Sequence, residues 1–190
     1  QDALKANTTA SGNTAVGKDA LAANTTGENN VAVGISALKT NTDGFHNTAI
    51  GFDALKDHDG ANSNTAVGSQ ALENSTSGLQ NTAVGSTSMQ TLTDATRNTA
   101  IGHGSMQATT SGSRNAAVGV EALGLNTSGG HNVAVGKAAL YNNTTASYNT
   151  AVGSGSLANN TTGLDCTAVG YNALNAHTTG NNNVAMGNNA

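Results

Sequence analysis

Proline and tryptophan are missing from this chain, cysteine occurs once, and only 3% of its 190 residues are aromatic and 9% charged. Each shortage excludes something. A lone Cys166 rules out a framework of intramolecular disulfides. Seven scattered basic residues in a chain of net charge −4 leave no electrostatic footprint for nucleic acid or for an anionic membrane. No apolar run approaches the length that spans a bilayer. Large apolar residues are too few for a spherical core, and the same Asn, Thr, Ala and Gly without a period would read as disorder.

The period is there. NTAVG at Asn13–Gly17 returns every seventeen residues without slippage, its glycine standing at Gly17, Gly34, Gly51, Gly68, Gly85, Gly102, Gly119, Gly136, Gly153, Gly170 and Gly187. A fixed period of this length predicts a solenoid of stacked coils, each contacting only its neighbours. The expected architecture is an all-β solenoid, a parallel β-roll of eleven coils forming a single repeat domain over residues 1–190. The outline is a rod.

Columns of the repeat supply the detail. Two residues before the reference glycine stands Ala in every copy, and one before it Val or Ile in all but Met186. Asn-Thr-Ala-Val-Gly alternates as a short strand, with Thr and Val on one face and Asn and Ala on the other. Four residues after the glycine comes a second apolar column of Leu or Met, from Leu4, Leu21 and Leu38 to Leu174, each preceded by a small residue. One Val and one Leu per coil, as at Val16 and Leu21, are the expected contents of a narrow core. A polar NTTG segment follows, with a Thr column that includes Thr25 and Thr42 and fails only at Asp59. Two residues later Gly alternates with Ala, so no obligatory positive φ is expected there. At the reference glycines, Gly17 and Gly34 among them, no exception occurs, and a positive φ or a close backbone contact is expected.

A coil with so few apolar groups cannot offset the entropy of ordering seventeen residues. Stability must come from bonds between coils: backbone ladders, the Asn column Asn13, Asn30, Asn47, Asn64 and onward, and the Thr column. The Ala-rich face is expected to be covered by other chains in a trimer or bundle. The chain begins and ends at nearly the same point of the coil, so either its ends stack on further molecules to make filaments or it is a piece of a longer solenoid.

Chemical sites are sparse. His46, His58, His103, His131 and His177 occupy different coils without metal-ligand spacing and read as solvated surface. Lys56-Asp57-His58-Asp59-Gly60 reads as an irregular acidic turn, with cation binding through oxygen ligands as the alternative. Cys166 replaces Asn in a column that is otherwise all Asn, which reads as a small residue tolerated in a ladder. Nothing places Ser, His and Asp as a triad, so no enzyme, no catalytic residue, no metal and no cofactor is expected. Charges fall at variable, solvated positions such as Lys18, Asp53 and Glu121, and Phe45, Phe52, Tyr141, Tyr148 and Tyr171 are the candidate surface contacts. Sequons at Asn7, Asn24, Asn74, Asn126, Asn142, Asn143, Asn159 and Asn160 follow from a composition rich in Asn and Thr.

The residues NTAVG followed by ALxxNTTG resemble the head repeats of trimeric autotransporter adhesins of the YadA type. They are also similar to the seventeen-residue repeats of bacterial and phage tail-fibre domains. The likeness runs the length of the chain. It implies a left-handed parallel β-roll, trimeric, in the head or shaft of an extracellular, cell-surface or virion fibre that touches a host glycan or protein. The function expected is thus a non-enzymatic structural or adhesive fibre. The alternatives are a phage receptor-binding shaft and an ice-binding solenoid using the NTTG Thr column, although ice binding usually needs a Thr-x-Thr strand in each coil.

Overall fold

The computed structural model describes residues 2–190. Eleven three-residue strands follow one another: β1 (Thr14–Val16), β2 (Val31–Val33), β3 (Thr48–Ile50), β4 (Thr65–Val67), β5 (Thr82–Val84), β6 (Thr99–Ile101), β7 (Ala116–Val118), β8 (Val133–Val135), β9 (Thr150–Val152), β10 (Thr167–Val169) and β11 (Val184–Met186). They form one parallel sheet in sequence order, a β-solenoid. Register is strict: Ala15 lies beside Ala32, Val16 beside Val33, and the same pairing recurs to Ala168 beside Ala185. Ladders of like residues arise because period and pitch coincide. No helix long and apolar enough to cross a membrane occurs among the described residues.

Between strands the backbone keeps bonding along the axis. Gly34 N–H donates to Val16 C=O at 2.8 Å, Leu21 N–H to Ala37 C=O at 3.0 Å, and Thr25 N–H to Thr42 C=O at 2.8 Å. Tight turns complete each coil, with Asn24 N–H donating to Leu21 C=O at 3.3 Å. The turning is done by left-handed residues. Each reference glycine has φ between 129° and 140°, and the Leu or Met column sits at φ 47° to 53°. Two further columns, that of Asp19 and Glu121 and that of His46 and Arg97, are left-handed as well. Non-glycine residues tolerate this at roughly 1–2 kcal/mol each, so the surrounding bonds must hold them there.

The reference glycine meets both of its expected constraints. A Cβ on Gly119 would fall 2.5 Å from the carbonyl oxygen of Gly136, and the other glycines of the column above it face one another in the same way. No side chain fits between coils at that corner. The Gly27 column, by contrast, contributes no positive φ, in keeping with the alanines that share it.

The interior differs from the expected Val and Leu pair. The strand residue that points inward is Ala, fully buried from Ala32 to Ala168, while Val16, Ile50, Ile101 and Val118 face outward and are exposed. The core is Ala of the strand against Ala20-Leu21 and its equivalents, with Met89 and Met106 in the same Leu column. A seventeen-residue coil is narrow. Leu reaching across from the turn leaves room for only a methyl group on the strand, and β-branched side chains are displaced outward. The Ala face therefore needs no partner chain; the Thr and Val face is the uncovered one. Val16 belongs to a ladder on the outside of the rod.

These contrasts are measurable by urea unfolding followed by circular dichroism. Gly119→Ala should cost about 2–4 kcal/mol through its φ and its collision with the next coil. Glu121→Gly, at a left-handed column where Gly104 and Gly155 already stand, should be neutral or stabilising by up to about 1 kcal/mol. Equal losses at both positions would refute this account of the corners.

Candidate interaction surfaces

Two internal ladders fix the shape on which any surface depends. In the first, the Asn47 N–H donates to Asn30 Oδ1 at 2.9 Å while Asn47 Nδ2 donates to the Ala61 carbonyl at 2.8 Å. The same pair of bonds recurs at Asn98, whose Oδ1 accepts from Asn115 N–H at 2.9 Å and whose Nδ2 donates to Gly112 C=O at 2.9 Å. Each buried amide thus satisfies two backbone groups of the coil above. The run ends at Cys166, whose N–H still donates to Asn149 Oδ1 at 2.9 Å, whereas its thiol lies 3.3 Å from the Gly180 carbonyl. Cys166 is buried, as a residue tolerated in the ladder should be.

The second ladder escaped the sequence reading. It is the column of Asn7, Asn24, Asn41, Asn126, Asn143 and Asn160, where Asn41 Nδ2 donates to Asn24 Oδ1 and Asn143 Nδ2 to Asn126 Oδ1, both at 2.9 Å. Its signal was the Asn that opens NTTG, hidden because His58, Ser75, Leu92, Thr109 and His177 interrupt it. Asn41 Oδ1, Ser75 Oγ and Thr109 Oγ1 are left without partners where the amides give out. Four of the sequons, at Asn24, Asn126, Asn143 and Asn160, have their amides fully buried here and closed to glycosylation in the folded chain.

His58 corrects the reading of the histidines as surface. It lies wholly buried in this second ladder, with Nε2 3.0 Å from the Ala61 carbonyl and Nδ1 3.2 Å from the Ser75 carbonyl. Burial pushes its pKa below the usual imidazole value, against the opposing pull of those carbonyls and of Asp59. The acidic turn is dispersed around it. The Asp59 carboxylate accepts from Thr42 N–H at 3.0 Å, and Lys56 pairs with Glu73 at 3.7 Å and Asp53 at 4.0 Å. Asp53, expected to be solvated, is buried in that pairing. His46, His103 and His131 are exposed, and His177 is half-buried 3.7 Å from Cys166 Sγ.

Outside, the two long faces differ. On the NTTG side the Thr hydroxyls are engaged along the axis: Thr25 Oγ1 donates to Thr42 C=O at 3.0 Å and Thr127 Oγ1 to Thr144 C=O at 3.0 Å. On the sheet side, Thr14, Thr48, Thr65, Thr82, Thr99, Thr150 and Thr167 form an outward rank beside the Val and Ile rank. Every exposed large apolar residue except Leu125 lies in those ranks or on their flanks, including Ile35, Phe52, Val120 and Tyr171 on one side and Phe45, Leu79, Tyr148 and Leu164 on the other. Of the candidate contacts, Phe45, Phe52, Tyr148 and Tyr171 share this side of the rod, and Tyr141 is half-buried away from it beside Gly124. The result is a strip about 50 Å long and roughly 15–20 Å wide, at about 4.8 Å per strand.

Two outcomes follow from the ladders. Asn98→Ala should cost about 2–4 kcal/mol in urea unfolding, because it strands a buried N–H and a buried carbonyl, while Cys166→Asn should gain about 1 kcal/mol by extending the run to Asn183. A harmless Asn98→Ala would mean the amides merely fill space. Because the folded-state pKa of His58 is lowered, its contribution is intact above about pH 6.5 and is lost as the pH falls below that value, where only the unfolded state binds the proton. Melting temperature should therefore drop between pH 7 and 5, and His58→Asn should flatten the drop; an identical slope in the variant would reject the assignment. None of the known family models, curated proteins or solved structures matches the chain.

Proposed function

We propose that this chain is a non-enzymatic rod module of an extracellular fibre, structural and adhesive, whose copies associate side by side through the outward Thr and Val face of the sheet. The observation that carries the reading is the concentration of exposed apolar side chains on that one face. Soluble monomers rarely leave so long an apolar strip uncovered. The strip offers on the order of 800 Å2, which is what each partner gives to an interface of standard size. A homotrimer would turn three such faces toward a common axis and leave the charged turns outside. The resemblance to adhesin and tail-fibre repeats supports both the trimer and the extracellular setting. Since each coil edge is complementary to the next, the rod can also be continued by further coils, from its own chain or another.

The same face supports a second reading, an ice-binding surface. Seven outward Thr hydroxyls, in a column that Val31, Ala116, Val133 and Val184 complete beside the Val and Ile rank, are suited to ordering water. That Thr rank lies on the strands and not in the NTTG column.

Light scattering on a sizing column, with negative-stain microscopy of the same fractions, separates the two. The expected result is a discrete trimer or bundle that dissociates to folded monomers in Val118→Asp/Val135→Asp, with circular dichroism unchanged. A monomer at all concentrations sinks the fibre reading, and thermal hysteresis from that monomer would establish the second.

A further inference from the structure

One flank of the sheet carries charge beside its apolar side chains. Both arginines of the chain, Arg97 and Arg114, stand in consecutive coils of one left-handed column. That column continues to His131 and Tyr148, whose rings stack with centroids 4.9 Å apart and planes 15° from parallel. The two guanidiniums are exposed and, among the described residues, neither forms an ion pair with a carboxylate; Asp94, in the coil of Arg97, is not within pairing distance. They lean apart instead. Arg97 Nε donates to Gln80 Oε1 at 3.0 Å, and Arg114 Nη1 reaches His131 Nε2 at 3.4 Å. Two like charges stand on adjacent coils about 4.8 Å apart in backbone spacing, one against an amide and the other against an imidazole, with no carboxylate among the described residues paired to either; an anion would relieve their repulsion.

Beside Arg97 the surface dips. A depression of about 310 Å3 is lined by Phe45, Asn62, Ser63, Leu79, Gln80 and Arg97. Phe45 and Leu79 give it an apolar wall, and its polar groups have capacity to spare. Asn62 Oδ1 accepts from Phe45 N–H at 2.8 Å and Gln80 Oε1 from Arg97, which leaves both amide NH2 groups and the Ser63 hydroxyl free to bond a ligand. An apolar wall opposite amides and a hydroxyl matches a pyranose ring, with one C–H face and a rim of hydroxyls. Guanidinium matches carboxylate in a two-bond fork.

We propose that this flank binds a carboxylate-bearing glycan, a chain of uronic-acid type, with a sugar ring against Phe45 and Leu79 and a carboxylate between Arg97 and Arg114. A denser polyanion fits less well. Nucleic acid needs many phosphate contacts, and the chain offers two cations here within a net charge of −4. The proposal gives the adhesive reading its ligand and rests on that reading for its biological setting, so binding and assembly are tested apart.

The experiment is isothermal titration of the full chain with sodium alginate oligosaccharides, with neutral cello-oligosaccharides and single-stranded DNA alongside, each sample also sized by light scattering. Saturable binding of alginate alone is expected, weakened at least tenfold in Arg97→Gln/Arg114→Gln and severalfold in Phe45→Ser. Lys18→Gln/Lys137→Gln, which removes the same charge from the opposite flank, should leave it unchanged. No alginate binding, equal binding of cello-oligosaccharide or DNA, or equal loss in the two charge variants would overturn the proposal. A monomer that binds alginate through the arginines would keep it and discard the fibre; a trimer that binds none would do the reverse.

Discussion

Hydrogen bonding along the axis is what the rest of this structure depends on. A coil whose inward residues are Ala, Leu and Asn buries little apolar surface, and it holds several non-glycine residues in the left-handed region. Neither circumstance is tolerable in isolation. Both become so when each coil's N–H and C=O groups are met by the coils above and below, and when a buried amide completes the positions that the backbone cannot reach. The amide column is therefore part of the main-chain ladder in all but name. Its directionality does what a larger core would do by bulk: it fixes one register.

Register in turn decides what faces out. With strands only three residues long, alternation allows one inward side chain, and the Leu from the far turn limits it to Ala. The β-branched residues that suit a strand are left on the surface, where stacking turns them into continuous ranks. The same geometry lines up whatever occupies the flanking columns. Variation there is cheap because the axial bonds of those positions are made by the backbone whatever the side chain, and it is where the arginines, phenylalanines and tyrosines gather.

Much of the fold was legible because its determinants are local and repeated. NTAVG fixed the strand, its alternation and its register, and the invariance of Gly17 and its equivalents called for a positive φ or a close contact, both of which are present. Which apolar residue points inward was not legible. Val and Ala are both apolar, and the choice between them depends on the width of the coil, set by left-handed Leu residues that no propensity would place there. The second Asn column was obscured by its substitutions, and the burial of His58 followed from that omission. The flank of Arg97 and Arg114 could have been found by reading the columns for what varies as well as for what repeats; the depression beside it depends on how Phe45 and Leu79 lie in three dimensions.

The direction of the bonds also sets how such a rod would bear load. Successive interfaces between coils are loaded in series when the rod is pulled end to end, and the axial bonds of each share the load, so an interface with fewer of them opens first. Those interfaces are the ones around His58, Ser75, Leu92 and Thr109, where the second amide column lapses, and the one above Cys166. Each that opens releases seventeen residues, about 56 Å of slack at roughly 3.3 Å per residue. A rod so built would lengthen by steps under tension, coil by coil, before its ends let go.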